Sequence, residues 1–340
     1  MDVQKVLIIK TGYSETLDPD VSGTVSLGDV LRTTVLLHLF PAHRYHVTWL
    51  TDGQAWPLLR GNTHIHRVIK VNPFTPFQLM RGYYDIIINL EKDPGLCALA
   101  DSIPGWQRFG FRFDPRNDET AGHLQSEEAF WIANDPQFKQ RLGRNWSQVL
   151  FEMMGETWKG ERCLLGHYPA NPPAFDIGLN YRIGNKFPLK GWPSDSWKEL
   201  AARCERSGLS VTWQPEQDNV DEIEKYIDWV GSCRVLVTTD SLGMHIAEAL
   251  RKPVVALFGP TSHTDIPDDP QLVKLKSAGT AGCQPCRARD CQKGKPCMPL
   301  IPVGQVFSAV EEMMRKVGSL PDVSTPRDDV ARDRAAAAAS

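Results

Sequence analysis

The chain has 340 residues, of which 41% are hydrophobic and 23% charged, and its formal net charge is −3. This is the composition of a soluble protein, and the length suggests two domains. The balanced charge argues against nucleic acid as a partner, and no apolar run approaches the roughly 20 residues that span a bilayer. The amino terminus enters a strand directly, without the pattern of a signal peptide, so we expect a cytoplasmic protein. A cytoplasmic location is compatible with peripheral contact with a membrane.

Apolar strands alternate with helical segments along the first half of the chain. The stretch Leu31–Phe40 has the pattern of a helix between the first two strands. Strands that are apolar almost throughout are typical of a parallel sheet buried on both faces. The predicted strands are Lys5–Lys10, His46–Leu50, Arg67–Val71 and Tyr84–Leu90.

A second series of the same kind follows a Pro-rich segment, with a helix predicted over Ser194–Gly208. Its strands are Phe175–Tyr181, Leu209–Gln214, Arg234–Thr239 and Pro253–Gly259. Two such series predict two doubly wound, Rossmann-like domains that face each other across a cleft. We place the N-terminal domain at 1–165, the linker at 166–175, the C-terminal domain at 176–320 and a disordered tail at 321–340.

The segment from Val237 to Ser262, "VTTDSLGMHIAEALRKPVVALFGPTS", joins two strands through a helix. Asp240 and Ser241 open that helix, where free backbone N–H groups and the helix dipole form an anion site. Gly243 lets the backbone approach a ligand closely, and Gly259 to Thr261 repeats the arrangement one strand further along. A diphosphate is the natural occupant. Taken alone, an Asp at a helix start is more often only a cap.

This segment resembles the nucleotide-sugar signature of the glycosyltransferase family that includes the ADP-heptose:lipopolysaccharide heptosyltransferases, although the usual order would place Gly before Leu. Three further segments are similar to that family: "VSLGDVLRTTVLL", "KGWPSDSW" and the cysteine-rich "CQPCRARDCQKGKPCMPLIPVGQV". The resemblance covers about residues 3–318 and implies the GT-B fold and an inverting transfer. One departure is the inserted stretch Tyr13–Thr24, where the simpler members have a much shorter connection.

The resemblance implies that Asp29 is the catalytic base and that Lys190 binds phosphate. Locally, Asp29 also completes a capping box with Ser26, and Glu15 in the inserted stretch is a rival acid. Lys186 is a substitute for Lys190. No catalytic metal is required at such a cationic site. The predicted donor-binding set is Lys190, Asp240, Ser241, Leu242, Gly243, His245, Gly259 and Thr261.

Four of the eight cysteines are clustered with the spacing C-x2-C-x4-C-x5-C, namely Cys283, Cys286, Cys291 and Cys297. Four thiols this close can surround one tetrahedral ion, Zn or Fe; free thiols and a regulatory disulfide remain alternatives. The isolated cysteines, Cys97, Cys163, Cys204 and Cys233, are predicted to be small core residues.

The sequence therefore favours an inverting glycosyltransferase that moves a sugar, heptose from ADP-heptose by resemblance, to an acceptor hydroxyl. The alternatives are a GT-B nucleotide-sugar epimerase or hydrolase and a non-catalytic nucleotide-sugar-binding protein. The acceptor is a lipopolysaccharide core, a protein hydroxyl or a small molecule, bound by the N-terminal domain. Trp106, Trp131 and Trp146 either stack on its sugar or pack inside the protein. A homo-oligomer is compatible with all of this.

Overall fold

The computed structural model describes residues 3–13, 20, 23–135, 138, 141, 143–216, 222–277 and 283–317. Two sequence predictions, the rival acid Glu15 and the tail 321–340, lie outside these residues, as does most of the inserted stretch.

The first half of the chain forms a six-stranded sheet with the order β3-β2-β1-β4-β5-β6. All neighbours are parallel except β5 and β6, which form an antiparallel pair at one edge. The strands are β1 Gln4–Ile9, β2 Tyr45–Thr51, β3 Arg67–Lys70, β4 Tyr84–Asn89, β5 Gly105–Asp114 and β6 Glu119–Gly122. The helices are α1 Leu27–Thr33, α2 Trp56–Leu59, α3 Thr75–Met80, α4 Pro94–Ser102, α5 Glu127–Asn134 and α6 Trp146–Met153.

The second half forms a five-stranded, wholly parallel sheet with the order β11-β10-β9-β7-β8. Its strands are β7 Phe175–Asn180, β8 Val211–Trp213, β9 Cys233–Thr239, β10 Val254–Phe258 and β11 Leu272–Lys276. Its helices are α7 Ser194–Arg206, α8 Ile223–Gly231, α9 Leu242–Ala249 and α10 Val303–Val317. Two parallel-sheet domains are thus confirmed, while the boundaries of the linker remain a prediction.

Every strand predicted from an apolar run is present, and its ends differ from the prediction by at most two residues. The strands that were not predicted, β5, β6 and β11, lie at or next to the edges of the sheets, where one face is solvated and the apolar run is broken by charged residues. The first helix begins at Leu27, earlier than predicted, and continues from Thr34 to Leu39 as a tight 3₁₀ turn. A run of β-branched residues at this junction weakens the α-helix.

A continuous apolar cluster joins the two domains below the cleft. From the N-terminal side it contains Leu31, Leu58, Cys163 and Leu165, and from the C-terminal side it contains side chains of α8 and α9 such as Tyr226, Ile227 and Met244. Helix α1 packs directly on α9. The carboxyl ends of β1 and β4 therefore face the carboxyl ends of β7 and β9, and the residues that follow these strands meet at one place.

Candidate active site

Asp29 lies in α1 and is buried between two cations. Its Oδ2 atom is 2.5 Å from Lys10 Nζ, and its Oδ1 atom accepts hydrogen bonds from Arg32 Nη2 at 2.7 Å and Nε at 2.8 Å. Lys10 follows the last residue of β1, so the strand end aims its ammonium group at the helix start. The ammonium also donates to the carbonyl oxygen of Leu90 at 3.0 Å and lies 3.7 Å from Glu91 Oε1.

These contacts determine the protonation state of Asp29. Burial alone would raise the pKa of the carboxyl, but the charges of Lys10 and Arg32 hold it far below its usual range. Burial likewise lowers the pKa of Lys10, yet Asp29 and Glu91 raise it above the ordinary value. The site therefore holds Asp29 as a carboxylate and Lys10 as an ammonium.

The alternative interpretation of Asp29 as part of a capping box is wrong. Ser26 occupies the N-cap position of α1 but makes no capping hydrogen bond through its side chain, and its backbone N–H donates to the carbonyl of Gly12 at 2.8 Å. The carboxylate of Asp29 turns away from the helix end, because the buried ammonium of Lys10 offers a stronger interaction than an amide.

Across the cleft, Asp240 and Lys190 form the second charged pair. Lys190 Nζ is 3.3 Å from Asp240 Oδ2, and both side chains are largely buried. Burial would raise the pKa of the Asp240 carboxyl, but the charge of Lys190 above all, followed by His245, the hydroxyl of Thr261 and last the charge of Arg32, lowers it well below its usual range. Arg32 contacts Asp29 directly, and its charge is close enough to Asp240 to have the smallest of these effects there.

Ser241 is fixed by a buried polar network that the sequence prediction missed. Asn180 is the last residue of β7 and is fully buried; its Nδ2 donates to Ser241 Oγ at 2.9 Å and to Thr238 Oγ1 at 2.7 Å. Tyr226 in α8 donates its hydroxyl proton to Asn180 Oδ1 at 2.7 Å. A polar residue at the carboxyl end of an apolar strand, as in "FDIGLN", is the signal that would have identified Asn180.

The two signature glycines are required by packing, while their approach to a ligand stays a prediction. A Cβ on Gly243 would lie 2.4 Å from Asn180 Nδ2 and 2.5 Å from the hydroxyl of Tyr226. A Cβ on Gly259 would lie 2.5 Å from Met298 Sδ and 2.9 Å from Cys297 Sγ. Both glycines therefore let neighbouring segments come close to the helix start and to the exit of β10.

Leu242 and His245 face the other domain. A Cβ added to Gly28 of α1 would lie 3.1 Å from His245 Cδ2 and 3.6 Å from Leu242 Cα. These residues therefore hold the opening of α9 against the opening of α1. Thr261 is buried beside Asp240 and helps to lower the pKa of that carboxyl; its Oγ1 is not engaged in a hydrogen bond of strict geometry within the described part of the chain, which makes it a candidate donor to a bound phosphate.

Comparison with known proteins finds relatives over part of the chain. The model of glycosyltransferase family 9 (heptosyltransferase) matches residues 222–296, which include the opening of α9 but neither Asp29 nor Lys190. Lipopolysaccharide heptosyltransferase 2 of Salmonella typhimurium is 28% identical over 188 residues, covering 46% of this chain and 53% of the relative. Lipooligosaccharide heptosyltransferase 2 of Haemophilus influenzae is 45% identical over 128 residues, 30% of this chain and 33% of the relative. The chain is heptosyltransferase-like.

The alignment spans about half the length of the curated relative from Salmonella. Solved structures show the same fold over nearly the whole chain. A family 9 glycosyltransferase from Veillonella parvula superposes with a TM-score of 0.63 at 18% identity, covering 93% of this chain and 98% of that one. Heptosyltransferase WaaC of E. coli with ADP-2-deoxy-2-fluoro heptose gives 0.57 at 16% identity, with 91% and 99% covered. The iron-containing dodecameric glycosyltransferase TibC of enterotoxigenic E. coli gives 0.56 at 14%, with 93% and 77% covered. The GT-B fold is confirmed.

Lys186 does not stand in for Lys190 in this heptosyltransferase-like chain. Its buried ammonium donates to the carbonyl oxygens of Gly12 at 3.4 Å and Tyr13 at 3.3 Å, across the cleft in the N-terminal domain. Lys186 is therefore a tie between the two domains, while Lys190 stays beside Asp240.

The eight cysteines are free thiols, and the four isolated ones are buried, as predicted. Burial raises the pKa of Cys97 and of Cys233 to about 12. Cys283 and Cys286 lie near enough to Cys297 to raise its pKa further, after burial. Within the described ranges no three His, Cys, Asp or Glu side chains are arranged to hold a metal ion.

The predicted stacking tryptophans are separated by the fold. Trp146 is buried against the guanidinium of Arg32, 5.4 Å from its ring centre, and so packs inside the protein. Trp106 is 77% exposed at the amino end of β5, on the edge of the sheet away from the cleft. Trp131 is exposed on α5. His38 is exposed and hydrogen-bonds through Nε2 to the carbonyl of Arg162.

A solvent-open cavity of ≈ 110 Å³ is lined by residues that include Arg162, Glu248 and Asp269. None of the predicted site residues lines it, and Glu248 is at the opposite end of α9 from Asp240. The described helices include none that is long and apolar enough to cross a bilayer.

Proposed function

We propose that this protein is an inverting glycosyltransferase that moves heptose from ADP-heptose to a hydroxyl of a lipopolysaccharide core. The observation that carries the proposal is the apposition of Asp29 and Arg32 with Lys190 and Asp240 across the cleft. The similarity to heptosyltransferases supports the choice of sugar, and the neighbour solved with an ADP-heptose analogue supports the nucleotide.

The C-terminal domain binds the donor. The diphosphate lies at the opening of α9, where backbone N–H groups of the first turn and the helix dipole favour negative charge. Lys190 and the hydroxyl of Thr261 add a cation and a donor. As the bond between the sugar and the diphosphate breaks, these groups stabilise the charge that collects on the departing ADP.

Asp29 takes the proton of the acceptor. The acceptor oxygen attacks the anomeric carbon of heptose, the bond to the phosphate oxygen breaks with its electron pair, and the hydroxyl proton passes to the carboxylate. Attack on the face opposite to the leaving group inverts the configuration. The two cations that hold Asp29 make it a weak base in the free protein. The diphosphate of the donor attracts Arg32 away from it, so donor binding strengthens the base.

The cysteine-rich segment lies against the donor side. Arg287 donates its backbone N–H to the carbonyl of Pro260 at 3.0 Å, and Cys297 touches Gly259. We propose that the four thiols bind one Zn or Fe ion after a local rearrangement, since one structural neighbour is an iron-containing glycosyltransferase. The ion would stabilise this segment and takes no part in the transfer.

The proposed donor is tested by thermal denaturation with free nucleotides. ADP should raise the melting temperature, and UDP and GDP should raise it less. Lys190→Ala should remove most of the ADP effect, whereas Lys198→Ala, at an exposed lysine of α7, should leave it unchanged. Equal stabilisation by UDP would contradict the assignment of the donor. Consumption of ADP-heptose at the same rate without acceptor would favour a hydrolase.

A further inference from the structure

Glu91 is a buried carboxylate beside the site, and the transfer described above does not use it. It lies just beyond β4, whose last residue, Asn89, pairs with Ile9 at the end of β1. Its side chain is fully buried, and its Oε1 atom is 3.7 Å from the ammonium of Lys10. Glutamate is rarely buried completely unless it is paired, so the partners of Glu91 indicate its role.

The ammonium of Lys10 is shared between two carboxylates. It is 2.5 Å from Asp29 Oδ2 on one side and 3.7 Å from Glu91 Oε1 on the other. Arg32 contacts the second oxygen of Asp29. The charges of these four side chains therefore sum to zero as long as Asp29 is a carboxylate.

The transfer changes that balance of charge. Arg32 moves towards the diphosphate when the donor binds, and Asp29 becomes neutral when it takes the acceptor proton. Lys10 is then left as a buried ammonium, and Glu91 is the carboxylate that still faces it. Because an uncompensated charge inside a protein is strongly destabilising, the charge of Glu91 lowers the free energy of the protein with Asp29 protonated.

Glu91 also fixes the end of β1 against the start of α1. Its Oε1 atom accepts the backbone N–H groups of Thr11 at 2.6 Å and Gly12 at 2.8 Å. Gly12 has a φ of +94°, which favours glycine, and its carbonyl accepts the backbone N–H of Ser26, the N-cap of α1. The carboxylate of Glu91 thus influences Asp29 by two routes, through its charge and through the backbone.

We propose that Glu91 is a positioning residue for the base: it holds Lys10 and the turn after β1, and it supplies the negative charge that Lys10 needs once Asp29 has taken the acceptor proton. This role rests on the proposed function, in which Asp29 is the base. The proton passes from the acceptor hydroxyl to the carboxylate of Asp29, and the pair of Lys10 with Glu91 stays charged throughout.

Glu91→Gln separates the charge of this side chain from its hydrogen bonds. The amide oxygen of glutamine can still accept both backbone N–H groups, but the negative charge is gone. We expect kcat to fall by about tenfold or more, while KM for ADP-heptose and the affinity for ADP stay within a few-fold of wild type. Asp85→Asn is the matched control, because Asp85 accepts the backbone N–H of Lys5 at 2.7 Å near the amino end of the same strand, away from the site. Its kcat should equal that of wild type.

A double-mutant cycle with Lys10→Met tests the argument from charge. Lys10→Met removes the ammonium that Glu91 compensates, so adding Glu91→Gln to it should lower kcat by no more than a few-fold. An equal effect of Glu91→Gln with and without Lys10 would show a purely structural role and overturn the proposal. So would a kcat of Glu91→Gln within a few-fold of wild type, or a loss of ADP binding in that variant.

The same set of variants distinguishes a failure of this proposal from a failure of the proposed function. If Asp29→Asn keeps its turnover, Asp29 is not the base, and the proposed function fails together with the role of Glu91. If Asp29→Asn loses turnover while Glu91→Gln keeps it, Asp29 remains the base and only the role of Glu91 is wrong.

Discussion

The carboxylate of Asp29 is held by Lys10 and Arg32, and this arrangement gives it two roles that can be separated. As half of a buried ion pair it stabilises the fold, and as the proposed base it accepts a proton. Asp29→Asn keeps the size of the side chain but removes the charge. We expect turnover to fall by about 10²–10⁴-fold and the free energy of unfolding by about 3–5 kcal/mol. ADP affinity, measured by calorimetry, should be retained and should rise somewhat, because Arg32 no longer has to leave the carboxylate to reach the diphosphate.

Lys10→Met is the matched control for Asp29→Asn. It breaks the same ion pair but leaves the carboxylate. Since the charge of Lys10 lowers the pKa of Asp29, its removal raises that pKa, and the acid limb of kcat/KM should move to higher pH. Turnover at neutral pH should survive. If the Asp29→Asn variant keeps its turnover within a few-fold of wild type, Asp29 is only a structural partner in an ion pair and not the base.

Gly243 lies against Asn180 and Tyr226, two residues of the polar network that fixes Ser241. In Gly243→Ala the new methyl group would overlap Asn180 and Tyr226. We expect a loss of about 1–3 kcal/mol in unfolding free energy and weaker ADP binding, because the opening of α9 must shift. Gly184→Ala is the control, since a Cβ there meets nothing within 4 Å. The expectation fails if denaturant titration shows the same stability for both variants.

At the scale of elements, the opening of α9 depends on segments far away in the chain. Asn180 ends β7, Tyr226 belongs to α8, and Cys297 with Met298 closes against the exit of β10. The proposed donor site is therefore assembled from β7, α8, α9, β10 and the cysteine-rich segment.

That segment is expected to carry about one Zn or Fe ion per chain in the purified protein. Cys286→Ser should lower the metal content, measured by mass spectrometry, and lower the melting temperature. Cys204→Ser is the control: Cys204 is buried in the C-terminal core, so its replacement should cost stability but leave the metal content unchanged. Metal-free native protein with four titratable thiols in this segment would refute the metal site.

At the scale of the whole molecule, the two domains are joined by a shared apolar cluster, by Lys186 and by ion pairs such as Arg60 with Glu224. The Lys186 contact is buried, whereas Arg60 and Glu224 are substantially exposed. The Lys186 contact should therefore stabilise the closed cleft far more than the ion pair does. The charged pairs of the two domains can act on one substrate only when the cleft is closed.

Lys186→Met should favour an open cleft and weaken ADP-heptose binding by about tenfold or more. Small-angle scattering should show a larger radius of gyration than in wild type. Arg60→Met, which breaks the exposed ion pair between the same domains, should change neither quantity by more than a few-fold. Identical scattering and affinity for both variants would show that Lys186 does not control closure.

The sequence by itself determined the two strand–helix series, because continuous apolar strands report burial on both faces wherever they occur. It also located Asp240, Ser241 and Thr261, since residues that follow parallel strands share one edge of the sheet. Strands at or next to a sheet edge, such as β5 and β11, were not predicted, because charged residues on their solvated face break the apolar run. Only the tertiary structure decided which partners surround these residues. Lys10 reaches Asp29, and Asn180 reaches Gly243, through contacts between segments far apart in the chain. Such contacts depend on the strand order of each sheet and on the orientation of one domain relative to the other. A local pattern of residues encodes neither.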